Sequence, residues 1–393
     1  TVDHQHAPIG VAVHEPVLAW QVPGAAAATA YEVEVRRLDA ATGAPVDPAG
    51  WATGRVEVPE PPMRPWLPYA GEPLVSDADY TWRVRVWTAG GAPAAGPDAD
   101  NGAATAGGSP AGAPGGSPAG AAGGSPAGAA RPDPAAAPSQ WAVSAFSTSL
   151  LDPADVVSPW VEPAQTPVEP EPPADFETLF IPQDRAPAGE RLHPVKLVRQ
   201  DLDLGHADRA TGPGASPASS ASAAPITRAR LYVSAQGVID VSIDGVPVGD
   251  TVLAPGWTSY HDYTEFDVHD VTAALASPGP HVLGLRLADG WFAGRIGALG
   301  ESAQYGRVLR AWWQLSLTYA DGSTAVVGPD ATARSTEGGP IRYSDILVGE
   351  RRDDRLAAAV AGWDRPGFDD GAWDRVRIVP AARLDPPTRL EPF

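Results

Sequence analysis

The chain is 393 residues long, carries no cysteine and has a formal net charge of −20. The excess of acid argues against nucleic-acid and anionic-membrane partners, whose recognition needs clustered Lys and Arg. The missing cysteine excludes disulfides, zinc–thiolate sites and thiol nucleophiles, and no apolar run approaches the roughly 18 residues of a membrane span.

Two or more domains are expected at this length. The 42 glycines and 44 prolines mark turns in a β-rich chain as well as low-complexity tracts, and 13 tryptophans suit either sandwich cores or sugar binding. Lys196 is the only lysine. The polar start, TVDHQHAPIG, does not read as a signal peptide. Thr1 is not an initiator methionine, so a trimmed chain or a fragment is expected.

In chain order, PVLAW is a short strand ending at Trp20, and AYEVEVRRL alternates Tyr31, Val33 and Val35 against Glu32, Glu34 and Arg36. WATGRVEV continues the β pattern. DYTWRVRVWT sets Tyr80, Trp82, Val84 and Val86 opposite Arg83 and Arg85, and QWAVSAFSTS is a last strand. Residues 1–155 therefore read as one β-sandwich. Inside it, at about 90–139, the unit GGSPAGA occurs three times with a period of eight residues. It has no large apolar residue and is expected to be a disordered loop.

The proline- and acid-rich stretch 156–190 reads as a linker. A second domain is expected over 191–383, with a low-complexity loop at about 205–225. HPVKLVRQDLDL, ITRARLYVSAQ and VIDVSI are strands, and Asp244-Gly245 is a two-residue hairpin signal. FDVHDVTAAL reads as a strand running into a helical turn with Asp270 as cap. HVLGLRL, RAWWQLSLTYADGSTAVV and IRYSDILV add strands, and GWDRPGFDDGAWDRV is a tryptophan-bearing loop. The pattern is an antiparallel jelly roll, so the chain is all-β.

VSIDGVPVGDTVLAPGWTSYHDYTEFDVHDVTAAL, VLGLRLADGWFAGRIG, GGPIRYSDILVGERRDDR and GWDRPGFDDGAWDRV occur in that order. Together they resemble the amino-terminal domain of bacterial α-L-rhamnosidases, glycoside hydrolase family 78. The preceding sandwich resembles the fibronectin-III-like domain that often accompanies it. The resemblance implies a parent enzyme that removes terminal α-L-rhamnosyl groups, with inversion, using carboxylates in an (α/α)6 barrel. No long amphipathic helical stretch is present, and residues 384–393 read as the start of a connection to a further domain. The chain is expected to be non-catalytic. Its implied partners are a rhamnose-containing glycan or glycoside and the catalytic domains of the same protein. GERRDDR departs from the family, which usually carries an aromatic before the corresponding Asp.

The stretch ADGWFAGRIG holds the main candidates. Asp289 is either a turn residue whose carboxylate caps backbone N–H groups, or a ligand to vicinal sugar hydroxyls. By the resemblance it is also the first choice for a calcium ligand, since some domains of the family are calcium-dependent rhamnose-binding modules. Gly290 offers such an ion only its carbonyl. Trp291 and Phe292 are adjacent and point to opposite faces if extended. Gly290, Gly294 and Gly297 allow sharp turns and close approach. Arg295 is placed to clamp a carboxylate. Trp312 and Trp313 fall on opposite faces of one strand, and either is a possible wall of a sugar site. Pro340 completes the carbohydrate-binding candidates. Gly349, Glu350, Trp363 and Trp373 are candidates for an interdomain surface. Glu350 invites a catalytic reading, but glycoside hydrolysis needs two carboxylates at a set separation across a cleft, and with Asp353 and Asp354 it sits in a charged run that reads as a solvated or interdomain surface. No catalytic residue is assigned. No metal spacing, nucleophile elbow or phosphate loop is present. Three roles stand side by side: a carbohydrate-binding part of a hydrolase, a structural interdomain module, and a free-standing lectin.

Overall fold

In the computed structural model the chain is a series of β-sheets with few and short helices. The structure describes residues 1–22, 28–46, 50–58, 66–88, 137–169, 188–202, 204, 224–296, 301–384 and 388–392. The GGSPAGA repeats, most of the proline-rich stretch and of the 205–225 loop, and Gly297 lie outside them.

The first sandwich has a main sheet in the order Ile9–Val11, Ala142–Thr148, Asp79–Thr88, Ala28–Leu38 and Trp51–Ala52, with Val56–Glu57 also on Ala28–Leu38. A two-stranded sheet, Val17–Ala19 with Trp66–Pro68, completes it. Alternation decides which side chains go in. Val33, Val35, Tyr80, Trp82, Val84 and Phe146 form the core. The polar positions between them pair across strands: Glu34 with Arg83 and Glu32 with Arg85, each at register partners. The two arginines also stack on Trp141.

The second sandwich packs two larger sheets. One runs Val246–Pro247, Val238–Ile243, His281–Ala288, Lys196–Leu202, Arg334–Thr336, Asp374–Arg375. The other is built on Ile226–Gln236 and Arg310–Tyr319, with Tyr263–Asp270 on one side and Trp160–Glu162 on the other. Ile239, Val241, Ile243, Leu283, Leu285 and Leu287 meet Ala229, Leu231, Val233, Trp313, Leu315 and Leu317 between them. Asp244 and Gly245, with φ of 52° and 78°, form the expected tight hairpin turn. Asp270 caps the following turn through the N–H of Thr272.

Two expectations need correction. Trp160–Glu162, in the stretch read as a linker, is a strand between Arg310–Tyr319 and Arg377–Val379. It is three residues long and flanked by proline, too short for any periodicity to show. Arg389–Pro392, read as the start of a connection, pairs in parallel with Tyr263–Asp270 and extends the sheet.

The two sandwiches meet through charge. Arg228, Arg230 and Tyr232 alternate on the outer face of Ile226–Gln236. Arg228 bonds Asp77 and Asp79, Arg230 bonds Asp79 and Asp270, and the Tyr232 hydroxyl donates to Asp77 at 2.6 Å. Burial drives the Tyr232 hydroxyl far above its ordinary pKa, and the Asp77 carboxylate adds to the rise, so it stays a donor.

Candidate functional site at the Asp289 strand end

Strand His281–Ala288 leaves its sheet at Asp289 and turns at once into the helical turn Gly290–Ala293. Gly290 makes that turn possible. Its φ is +50°, and a Cβ there would stand 2.6 Å from the Val238 Cβ. Asp345 holds the exit: one carboxylate oxygen accepts the Arg295 N–H at 2.7 Å, the other the N–H groups of Leu347 and Val348. The hairpin Ile341–Asp345/Gly349–Arg352 is thereby fixed beside the turn.

Asp289 is 1% exposed, and both its oxygens are used. One accepts the backbone N–H of His193 at 2.8 Å, and the other is bonded to the ring Nδ1 of the same residue. The bridge fastens the segment before strand Lys196–Leu202 to the end of its neighbour. At 1% exposure the carboxylate is closed off from solvent. Among the described residues no group of three or more His, Cys, Asp or Glu is arranged to hold a metal. In the fold Asp289 serves a structural role, bonded through both oxygens to His193.

Trp312 and Trp313 do point to opposite faces, and both are buried. Trp313 lies between the sheets. Trp312 lies against Trp160, Tyr232 and Phe266, and its Nε1 donates to the Ser158 carbonyl at 2.9 Å. The outer face of this sheet is covered by the 150–160 segment and by Val379 and Leu384. Neither ring is open to a sugar.

Trp291 has a different setting. It is half-buried and lies flat against Trp257, centroids 5.4 Å apart and planes within 4°. Trp257 is 53% exposed, and its Nε1 donates to the Tyr305 hydroxyl at 3.1 Å. Phe292 turns inward and meets Tyr260 edge-on. Val252, at 82% exposure, and Leu253 stand on the same loop as Trp257. The sequence reading passed over Trp257. Its only signal was a tryptophan after Pro255-Gly256, in a loop where core packing is not required.

The remaining candidates scatter. Gly349 and Glu350 are exposed on the hairpin. Trp363 is buried on the outer face of the sheet that holds Leu197, and Trp373 and Phe368 pack around it. Trp363, Trp373 and Phe368 thus make a small second core. Asp353 is tied to Arg355, and Asp354 to Arg352. Pro340 lines a cavity of 360 Å³ together with Leu197, Arg286, Arg352 and Trp363.

Two family descriptions match this arrangement. "Alpha-L-rhamnosidase N-terminal domain" covers residues 224–390, and "Rha78A-like, N-terminal immunoglobulin domain" covers residues 1–99. The chain carries the amino-terminal domains of the α-L-rhamnosidase family. The first sandwich is thus of immunoglobulin type in its family description, where a fibronectin-III-like one was expected. An α-L-rhamnosidase of Streptomyces avermitilis is 41% identical over 174 residues, which is 42% of this chain and 16% of that protein. One of Formosa agariphila is 26% identical over 389 residues, 98% of this chain and 32% of that protein. The chain thus spans a third or less of the length of these relatives. In fold, the α-L-rhamnosidase from Dictyoglumus thermophilum matches 100% of the chain and 34% of its own length, at TM-score 0.67 and 20% identity. The Streptomyces avermitilis enzyme complexed with L-rhamnose matches 96% of the chain and 44% of its own, at TM-score 0.60 and 21% identity.

Within this rhamnosidase amino-terminal region, the strand end first singled out is a fastening point. The exposed aromatic surface it supports is made by Trp257.

Proposed function

We propose that this chain is a non-catalytic support of an α-L-rhamnosidase and that its Trp257 end packs against a catalytic domain of the same protein. The exposure of Trp257 carries this reading. A large flat ring, stacked on Trp291 and held by Tyr305, is kept rigid yet left more than half open, with Val252 and Leu253 beside it. Contiguous apolar exposure of this kind marks an interaction surface. The occupant is chosen by length, since two thirds or more of each relative lies outside the matched part. The hairpin carrying Gly349 and Glu350, joined to the same turn through Asp345, would form its rim.

Catalysis is assigned to the part of the parent protein outside this chain, since two thirds or more of each relative lies outside the matched part. The test is made in the parent enzyme. Trp257→Ala is expected to shorten its half-life at elevated temperature and leave kcat on p-nitrophenyl α-L-rhamnoside unchanged before inactivation. An unchanged half-life contradicts the reading.

A further inference from the structure

The first sandwich leaves one strand edge half open. Strand Ala142–Thr148 pairs with Asp79–Thr88 on one side from Ala142 to Ser147. On its other side Ile9–Val11 reaches it only at Ser147 and Thr148. The N–H groups of Ser147 and Ser149 donate outward to Pro8 and Val11, and that of Thr148 donates inward to Ala78. Alternation therefore turns the N–H and C=O groups of Val143 and Ala145 to the open side. Among the described residues nothing bonds them. The covering segment stops short for a local reason. It bends away at Ala7, with φ of 44°, and Thr1 and Asp3 bond Ala19 and Val17 instead.

Exposed strand edges are ordinarily blunted by lysine, proline, a bulge or an inward charge. Residues 139–149, SQWAVSAFSTS, contain no charge and no proline, in a chain of net charge −20. Their register with Asp79–Thr88 is unbroken. Val143 is 68% exposed, and Ala142 and Ala145 are exposed beside it. The strand runs towards the second sandwich, whose outer packing Leu150 joins, so its open half points away from that domain.

We infer that this edge joins a second copy of the chain, strand to antiparallel strand, about a two-fold axis at Ser144. The edge is self-complementary there. The open groups of Val143 face those of the partner's Ala145, and the reverse, which gives four hydrogen bonds. Val143 then lies beside the partner's Ala145 on one exposed face. An unrelated extended peptide would not need this symmetry, which selects the second copy. Pairing stops at five residues a side, because the Ser147 N–H is already taken by Pro8. The uncharged strand lets two acidic chains meet without setting like charges against each other. So short a ladder lies well below the size of stable interfaces and is expected to hold only at about 0.1–1 mM chain.

The chain has no cysteine, which permits a test by register. Ser144 opposes itself at a pair without hydrogen bonds, where Cα atoms lie about 4.5 Å apart, within disulfide reach. Val143 opposes Ala145 and not itself. The full-length variants Ser144→Cys and Val143→Cys are oxidised at equal concentration. Ser144→Cys is expected to give a covalent dimer about tenfold faster or more, although Val143 is the more exposed position. Sedimentation of the unmodified chain up to about 1 mM is expected to show a reversible dimer. Val143→Pro removes an outward N–H and no internal ladder bond, and is expected to abolish it. Val143→Lys, expected to do the same by charge, serves if the proline variant unfolds. Trp257→Ala is expected to dimerise as wild type, which separates this edge from the docking surface. A monomer at every concentration, or cross-linking of Val143→Cys as fast as that of Ser144→Cys, overturns the pairing.

Discussion

Asp289 and His193 are joined by two hydrogen bonds inside the protein, one to the backbone N–H and one to the imidazole. They lie 96 residues apart. The pair turns an acid at a strand end from a ligand candidate into a fastening of the sandwich. Asp289→Ala removes both acceptors and leaves a buried N–H and a ring nitrogen unpaired. It is expected to cost about 2–4 kcal/mol. Asp289→Asn keeps one acceptor and is expected to cost roughly half as much. Urea unfolding of the two variants checks the order.

Lys196 offers a chemical test of burial. It is the only lysine, fully buried, with its ammonium bonded to Glu337 and to the Pro194 carbonyl. Burial pulls its pKa down against the pull of Glu337. An amine-reactive ester is expected to label the folded chain at Thr1 alone and to reach Lys196 only in denaturant. Peptide mapping reads the result. The partner carries a pH dependence. Burial pushes the Glu337 carboxyl up, but hydrogen bonds from Lys196 and Thr166 and the lysine charge outweigh it and hold it below its ordinary 4.5. Its stabilisation is therefore present above that value and lost as pH falls through the lower folded one. Lys196→Met is expected to flatten the acid limb of a stability–pH curve.

Asp267 has the opposite sign. Burial, and then the Glu265 carboxylate, push its carboxyl up from 3.8 to about 6. The unfolded chain releases this proton first, so stability is lost as pH rises from about 4 to 6 and stays lost above. Asp267→Asn is expected to stabilise the chain by about 1–2 kcal/mol at pH 7.5, allowing for screening at a partly exposed site. Near pH 3.5 it is expected to change little. Thermal melts at the two pH values distinguish this from a pH-independent packing effect.

Arg228 and Arg230 of the jelly roll share Asp79 of the first sandwich. Asp79→Ala leaves two nearly buried guanidinium groups short of a partner, at a cost of about 3–5 kcal/mol. The sandwiches are expected to unfold together in the wild type and apart in the variant. Calorimetry would show one heat-absorption peak becoming two.

Much of the fold was legible because alternation records which strand face is buried. Val33/Val35, Tyr80/Trp82 and the Asp244-Gly245 turn all follow from local pattern. Facing partners were not legible. Alternation separated Trp312 from Trp313 correctly, but only the folded chain shows that Trp160 and Leu384 cover the second face. The Asp289–His193 bridge depends on strand register, which one sequence does not display. Trp160–Glu162 and Arg389–Pro392 escaped because strands of three or four residues beside proline carry no period.

The support role rests on association through the Trp257 end without hydrolysis. The most direct measurement mixes the purified chain with the separately produced remainder of its parent enzyme and follows sedimentation and release of p-nitrophenol from p-nitrophenyl α-L-rhamnoside. The account predicts a one-to-one complex that Trp257→Ala weakens about tenfold or more, and no release by the chain alone. Hydrolysis by the chain alone, or a complex indifferent to Trp257→Ala, would contradict it.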